Sequence, residues 1–387
     1  MCGGPAFFVA AGPSRKGPMS VLIDLVALTL LPVWRWRVVT EQLRAGESPA
    51  AILATECQPR VRRAPRSRGR AQPLDAGQLR TRASQALERA ARSDLEALAW
   101  DDVRYPAMLG AIIDAPPVLW IRGDADALDG LSVAIVGSRA GSPYALAAAE
   151  RLAADLAASG VTIVSGLARG VDSAAHRGAL SVRGRTLAVL GCGADVVYPR
   201  EHAALAADIA RAGAIVSELV PGTPPRAPFF PQRNRIISGL SRAVVVVEAG
   251  EKSGSLITAR CALDQGRDVL AVPGNILNGR NTGGHALLRD GAKIVESAVD
   301  ILEELGVAGP GRREPSGRSG ASYPPDALDS SPGRDPILGC LIPGETCDLD
   351  AIVERSGLTA ARLLPRLFEL EMQGLVRRVG GGRFVRV

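Results

Sequence analysis

Two adjacent phenylalanines in an arginine-rich stretch are the residues of this chain best suited to holding a ligand. Phe229 and Phe230 are the only phenylalanines between Leu131 and Leu305. They lie in Pro224–Arg235, which we predict to be a proline-rich loop and which also contains three arginines. Aromatic rings stack on flat groups and guanidinium groups hold anions, and a single-stranded nucleic acid offers both. The alternative is that the rings only fill a gap between this loop and the core.

Loops rich in glycine and serine follow five predicted strands and could hold phosphate groups. Two of them are Gly137–Ser142 and Ser165–Asp172, and a third, Glu248–Ser255, runs directly into a predicted helix. Backbone N–H groups at a helix start attract anions, glycine allows close approach and arginine adds a bidentate donor. The residues that we expect to contact an anion in these loops are Gly137, Ser138, Arg139, Gly166, Arg169, Lys252 and Ser253.

The common fingerprints of tightly held nucleotides are absent. Gly191-Cys192-Gly193 lacks the third glycine of GxGxxG, and no GxxxxGK[ST] string occurs. We therefore expect no cofactor, and several shallow anion sites along one sheet edge suit a polyanion better. Asp172 and His176 share a predicted helix face and could form an acid–base pair, but capping and bracing of the helix start is the favoured interpretation.

These loops require a sheet to position them, and residues 101–306 carry its pattern. Seven short apolar runs, from Val133–Val136 to Ile294–Val295, alternate with five predicted helices. Continuous Val, Ala and Leu runs indicate strands buried on both faces, and hence a parallel sheet. We predict an α/β fold with an extended Rossmann-like, doubly wound, mostly parallel sheet, whose ligands bind beyond the carboxyl ends of the strands.

The flanking segments predict two smaller domains. Residues 19–100 form several predicted helices, the last being Leu79–Leu98, with an arginine-rich loop at 58–72. A linker at 307–335 is predicted to be disordered because it contains almost no apolar residues. Residues 336–387 have three predicted helices followed by a glycine-turned hairpin, which is the winged-helix order.

Composition limits the possible environments. The chain has 387 residues, which predicts two or three domains, and its net charge of +6 favours an anionic partner. The six cysteines form no CxxC pair, which argues against a zinc site or a disulfide framework and favours the cytoplasm. Residues 1–18 are predicted to be a disordered leader. The apolar run Val21–Leu31 is too short to span a bilayer and contains Asp24, so no membrane association is expected.

Five motifs together resemble the bacterial DNA-processing protein A family (DprA, also called Smf). They are Ala134–Arg139, Ser165–His176, Phe230–Ser241, Glu248–Ala259 and Val272–Gly274. The first part of the chain resembles the SAM-like domain of the family, and the tail resembles its winged-helix domain. The resemblance implies a homodimer that binds single-stranded DNA without sequence preference. Such a protein would protect incoming DNA in natural transformation and help to load the RecA recombinase.

The resemblance also implies roles for single residues. Arg139 falls on the key pocket arginine of the family and Phe230 on its base-stacking phenylalanine, while Arg226 is the nearest candidate for a second basic contact. Arg233 and Arg235 are expected to be partly structural and to brace the loop against Glu248. The other residues placed along the same edge by motif position are Ser138, Gly166, Arg233, Asn234, Arg235 and Lys252.

The alternative function is that of a nucleotide-processing Rossmann enzyme of the phosphoribohydrolase-like group. That group carries a Pro-Gly-Gly-x-Gly-Thr string, which is absent from Ala249–Leu256. We therefore expect a protein that is not an enzyme. The tail could bind duplex DNA or dock a protein, and the mixed charges of its predicted recognition helix, Thr359–Gln373, favour protein docking.

Overall fold

The computed structural model describes most of the chain. The described residues are 19–58, 75–307, 335–342, 344–358, 360–379 and 383–386. The expected leader, the arginines at 60–70 and residues 308–334 of the expected linker lie outside the described residues.

Four α-helices pack together at the start of the described chain, as expected. They are α1 (Met19–Thr29), α2 (Trp36–Arg44), α3 (Pro49–Cys57) and α4 (Ala76–Arg92). At the start of α3, Ser48 Oγ accepts a hydrogen bond from Ala51 N at 3.3 Å, and Pro49 has no N–H to leave unsatisfied. Within the described ranges no single helix is long and apolar enough to cross a membrane. The stretches Met19–Thr29 and Val33–Arg44 reach that length and composition only as a pair bent by 115°.

The C-terminal end predicted for the helix Leu79–Leu98 is wrong. α4 stops at Arg92, and residues Glu96–Ala99 form a strand, β1, on the edge of the large sheet. Between them Asp94 has a φ of 53°, a left-handed conformation that aspartate tolerates better than most residues and that ends the helix. The expected boundary at residue 100 therefore falls after the first strand of the sheet.

Nine strands form one sheet, in the order β1-β2-β6-β5-β4-β3-β7-β8-β9. After β1 they are β2 (Val118–Gly123), β3 (Ser132–Val136), β4 (Thr162–Ser165), β5 (Thr186–Val189), β6 (Ala214–Ser217), β7 (Ala243–Val246), β8 (Asp268–Ala271) and β9 (Lys293–Ile294). In this sheet, as far as the described residues extend, the pairs β1–β2 and β2–β6 are antiparallel and the other pairs are parallel. The chain leaves β3 in one direction through β4, β5 and β6, and β7 returns on the other side of β3. The switch point of this doubly wound sheet therefore lies between β3 and β7.

Helices cover both faces of the sheet, which confirms the predicted fold class. They are α5 (Ala107–Gly110), α6 (Pro143–Ala158), α7 (Val171–Ser181), α8 (Ala203–Ala212), α9 (Phe229–Gly239), α10 (Ser255–Asp264), α11 (Thr282–Arg289) and α12 (Ala298–Glu304). Alternate residues of β3 enter different cores. Ala134 and Val136 pack with α9 and α10, whereas Val133 and Ile135 pack with α6 and α7. The strand is thus buried on both sides, as its continuous apolar run predicts.

The C-terminal part is a winged-helix domain, as expected. Its elements are α13 (Pro336–Cys340), β10 (Thr346–Asp348), α14 (Leu349–Ser356), α15 (Ala360–Met372), β11 (Val376–Val379) and β12 (Arg383–Arg386). The hairpin pairs Val376 with Arg386 and Val379 with Arg383. β10 is absent from the sequence prediction, because three residues are too few to show a period, and it pairs with β12 to complete a three-stranded sheet.

Candidate nucleic-acid interface

A cavity of about 830 Å³ opens at the switch point of the large sheet, and we call it the cleft. Its walls come from the loops after β3, β4, β5, β6 and β7 and from the first turns of α9 and α10. Ser138 ties the central loops together, because its N–H donates to Glu248 O at 2.7 Å and its carbonyl accepts from Val171 N at 3.2 Å. The loops predicted to hold anions therefore meet in one place.

Arg139 and Phe230 lie together in the cleft. The guanidinium carbon of Arg139 is 5.5 Å from the centroid of the Phe230 ring, a cation–π distance. Arg139 is exposed, and no carboxylate in the described part of the chain lies within ion-pair distance of it. Its positive charge is therefore available to an anion.

The stretch Pro224–Arg235 is not a loop throughout, and this part of the prediction is wrong. α9 begins at Phe229 and carries the rest of the stretch. Pro231 lies in the first turn, where its missing N–H breaks no helical hydrogen bond. The helix turns Arg233 and Arg235 inward, and both are buried.

Arg233 reaches the edge of the cleft from beneath. Its Nη1 donates to Gly166 O at 2.8 Å and to Val189 O, so the side chain joins the ends of β4 and β5. A methyl group at Gly166 would overlap with this guanidinium, which explains the glycine. Burial lowers the pKa of Arg233 to about 10, while the nearby Asp172 carboxylate opposes that shift. Arg233 thus remains charged at neutral pH and supports the floor of the cleft.

Arg235 does not pair with Glu248 as expected. Its Nη2 lies 2.6 Å from Glu218 Oε2, and its Nε lies 2.8 Å from Asp114 Oδ2. Glu248 instead accepts hydrogen bonds from Ser142 N at 3.0 Å and Ser142 Oγ at 2.6 Å, at the start of α6. The inward turn of α9 explains the difference, and it leaves Arg235 outside the lining of the cleft.

Asp172 and His176, one helical turn apart on α7, each hydrogen-bond to a different structural partner. Asp172 Oδ2 accepts from Gly166 N at 3.1 Å, and burial raises the pKa of its carboxyl group. His176 Nδ1 lies 2.7 Å from Thr186 Oγ1 and is wholly buried. Because the Thr186 hydroxyl donates to Ile163 O at 2.8 Å, it accepts from His176. The capping and bracing interpretation fits these contacts.

The remaining candidate residues divide between the cleft and its surroundings. Arg169 is exposed and pairs with Glu201 at 2.5 Å outside the lining, and Arg226 is exposed between the lining residues Pro225 and Ala227. Gly166 lies behind the lining, where it meets Arg233. The candidate residues that line the cleft are Gly137, Ser138, Arg139, Phe230, Arg233, Asn234, Lys252 and Ser253.

Sequence reasoning missed Tyr198, which also lines the cleft. Its ring centroid is 5.5 Å from that of Phe230, at an interplanar angle of 48°. The signal that could have found it is an aromatic residue in the loop after the buried strand β5. From the sequence, only Gly191 and Gly193 of that loop were considered. Aromatic residues that follow parallel strands meet at the same edge of the sheet.

The fold and the cleft define a Rossmann-like protein whose switch-point site suits flat, anionic ligands. No group of three or more His, Cys, Asp or Glu residues suited to a metal ion occurs within the described ranges. Residues 96–306 match the family of DNA recombination-mediator protein A, and residues 321–382 match the DprA winged helix domain. The chain belongs to the DNA recombination-mediator protein A family.

Relatives share much of the chain. Protein Smf of Escherichia coli (strain K12) is 43% identical over 292 residues, which are 73% of this chain and 75% of that protein. The structure of DprA from Streptococcus pneumoniae has a TM-score of 0.55 and 41% identity, covering 59% of this chain and 82% of its own. DNA processing protein A from Helicobacter pylori, described with a unique single-stranded DNA binding mode, has a TM-score of 0.50 and 31% identity, covering 55% and 95%. The resemblance to DprA and Smf is confirmed, which favours the DNA-binding interpretation over the nucleotide-processing enzyme.

Proposed function

We propose that this protein binds single-stranded DNA in the cleft, without sequence preference. The observation that carries this proposal is the position of Arg139, an exposed guanidinium without a carboxylate partner among the described residues, 5.5 Å from the Phe230 ring centroid. A guanidinium contacts any phosphate, and an aromatic ring stacks on any base. Such a pair holds a strand without reading its sequence.

The segment that leads into α10 supplies a second phosphate-binding feature. Lys252 and Ser253 line the cleft just before this ten-residue helix. N–H groups at a helix start carry partial positive charge, and the Lys252 ammonium adds to it. The description of the Helicobacter pylori relative as binding single-stranded DNA supports the proposed ligand.

The wider role follows from the family. We propose that the protein is a non-enzymatic mediator in the cytoplasm that protects incoming DNA, acts as a homodimer and helps to load the RecA recombinase. The description of the family as a recombination mediator supports the RecA partnership.

Charge reversal tests the site. Arg139→Glu should weaken binding of a labelled single-stranded oligonucleotide about tenfold or more, because it replaces a phosphate contact with a repulsive charge. Arg211→Glu is the matched control, since Arg211 is exposed on α8 and this substitution changes the net charge of the protein by the same amount. Fluorescence anisotropy with single- and double-stranded probes measures both. Equal affinities of the two variants for single-stranded DNA would refute the site.

A further inference from the structure

Tyr198 presents the more open aromatic surface in the cleft. The residue is 43% exposed, whereas Phe230 is half-buried. The space beside Phe230 is limited, because a Cβ atom at Gly191 would lie 3.0 Å from its Cδ1. The two rings are tilted by 48°, so they are not stacked face to face.

Arg139 already occupies one side of Phe230. Its guanidinium lies within cation–π distance of the ring. A base that stacks on that side must displace the guanidinium, whereas no such cation–π contact is present at Tyr198 in the described part of the chain. Tyr198 is therefore the aromatic residue prepared for a base before the strand binds.

The loop that carries Tyr198 is held in place by hydrogen bonds. Gly193 N donates to Thr223 O at 2.9 Å, which joins it to the loop preceding α9. Asp195 strengthens this junction, because its Oδ1 accepts from Gly222 N at 2.7 Å and its Oδ2 pairs with Arg89 of α4 at 2.7 Å. A preorganised ring loses little conformational entropy when a base stacks on it.

We propose that Tyr198 stacks on an unpaired nucleobase, as a second aromatic contact beside Phe230. This inference rests on the proposed binding of single-stranded DNA in the cleft. Because the two ring centroids are 5.5 Å apart, their bases belong to neighbouring parts of one strand. The ligand class is a strand with unpaired bases, and the contact requires a base rather than a phosphate.

Two matched single strands, one with bases and one abasic, distinguish a contact of Tyr198 with a base from any other role of this residue. Tyr198→Leu should bind oligothymidylate about 5- to 150-fold more weakly than the wild type, the range for one lost stacking contact. It should bind a matching abasic oligonucleotide as the wild type does, because that strand keeps the phosphates. Tyr198→Phe, which keeps the ring, should retain affinity for both. Equal affinity of Tyr198→Leu and wild type for oligothymidylate, or an equal loss on both strands, would overturn the proposal.

A bracing role for Tyr198 is tested in a Phe230→Leu background. If Tyr198 stacks on its own base, adding Tyr198→Leu weakens oligothymidylate binding further, and if it only braces Phe230 the second change has no effect. The Arg139→Glu variant tests the cleft itself. If Arg139→Glu loses affinity for oligothymidylate and Tyr198→Leu does not, the inference about Tyr198 is wrong while the proposed binding of DNA in the cleft stands.

The wild-type protein provides a test that needs no variant to fold. Ultraviolet irradiation of a bound oligonucleotide containing 5-iodouracil crosslinks halogenated bases to stacked aromatic side chains. Mass spectrometry of the digested complex should find the crosslink on Tyr198 as well as on Phe230. Crosslinks on Phe230 without any on Tyr198 would contradict the stacking role.

Discussion

Arg235 and Glu218 form a buried, two-point ion pair, with Nη2 to Oε2 at 2.6 Å and Nη1 to Oε1 at 3.2 Å. The side chain of Glu218 is 4% exposed and that of Arg235 is 10% exposed. Burial raises the pKa of Glu218, and the Arg235 guanidinium opposes that shift. Because Arg235 is on α9, this ion pair fixes the position of the helix, and the same helix places Phe230 and Arg233 at the cleft.

Removal of the Glu218 charge should destabilise the protein strongly. Glu218→Gln removes one of two carboxylates that pair with the buried Arg235, and Asp114 stays in place. Loss of one partner of a buried pair typically costs about 3–5 kcal/mol, and the Asp114 contact places this change near the lower end of that range. Asp208→Asn is the control, since Asp208 and Arg211 form an exposed pair worth about 0–1 kcal/mol. Urea unfolding measures both free energies. Similar values for the two variants would contradict a dominant role of the buried pair.

A larger residue at position 191 should weaken binding of single-stranded DNA, because it takes up the space beside the Phe230 ring. Gly191→Ala places a Cβ atom 3.0 Å from Phe230 Cδ1, so the ring must shift, and we expect about a two- to tenfold loss of affinity for single-stranded DNA. Gly250→Ala is the control in the same cleft, because the nearest atom to its Cβ is 3.9 Å away. Anisotropy titrations compare them, and a larger loss for the Gly250 variant would show that the ring position is unimportant.

Stability should depend on pH through His176. Burial lowers the pKa of His176 to about 3 from 6.5, so between these values the unfolded chain binds a proton that the folded protein excludes. Its contribution to stability is complete above pH 6.5 and is lost as the pH falls, by up to about 1.4 kcal/mol per pH unit. His176→Gln should reduce the slope of unfolding free energy against pH by one proton in this window. Identical slopes for variant and wild type would rule out this linkage.

Much of the sheet could be predicted from local pattern. The predicted run Val133–Val136 lies within β3, and predicted and observed bounds of α10 coincide at Ser255–Asp264. Strands buried on both faces need continuous apolar runs, and glycine-bounded runs are visible without any partner strand. The placement of Gly137–Arg139 and Lys252–Ser253 in one cleft followed from the same pattern, since parallel strands end at one edge.

α9 and β1 could not be predicted in the same way. The prolines around Phe229 favour a loop locally. Tertiary contacts stabilise the helix instead: Ile236 and Ile237 pack in the core beneath the sheet, and Arg235 pairs with Glu218. β1 is four residues long, and its pairing with β2 defines it as a strand. Both elements depend on contacts between distant parts of the chain, which outweigh weak local preferences.

The fold class, the family and the sheet edge that forms the cleft could all be inferred from the amino-acid sequence, because periodicity and motif strings are local properties. Which arginines are exposed and which are buried depends on tertiary packing. Arg139 remains exposed above Phe230, while the turn of α9 buries Arg233 and Arg235 against carbonyl and carboxylate oxygens. Identical side chains thus differ in surroundings, since burial and ion pairing depend on the direction in which packing turns each one.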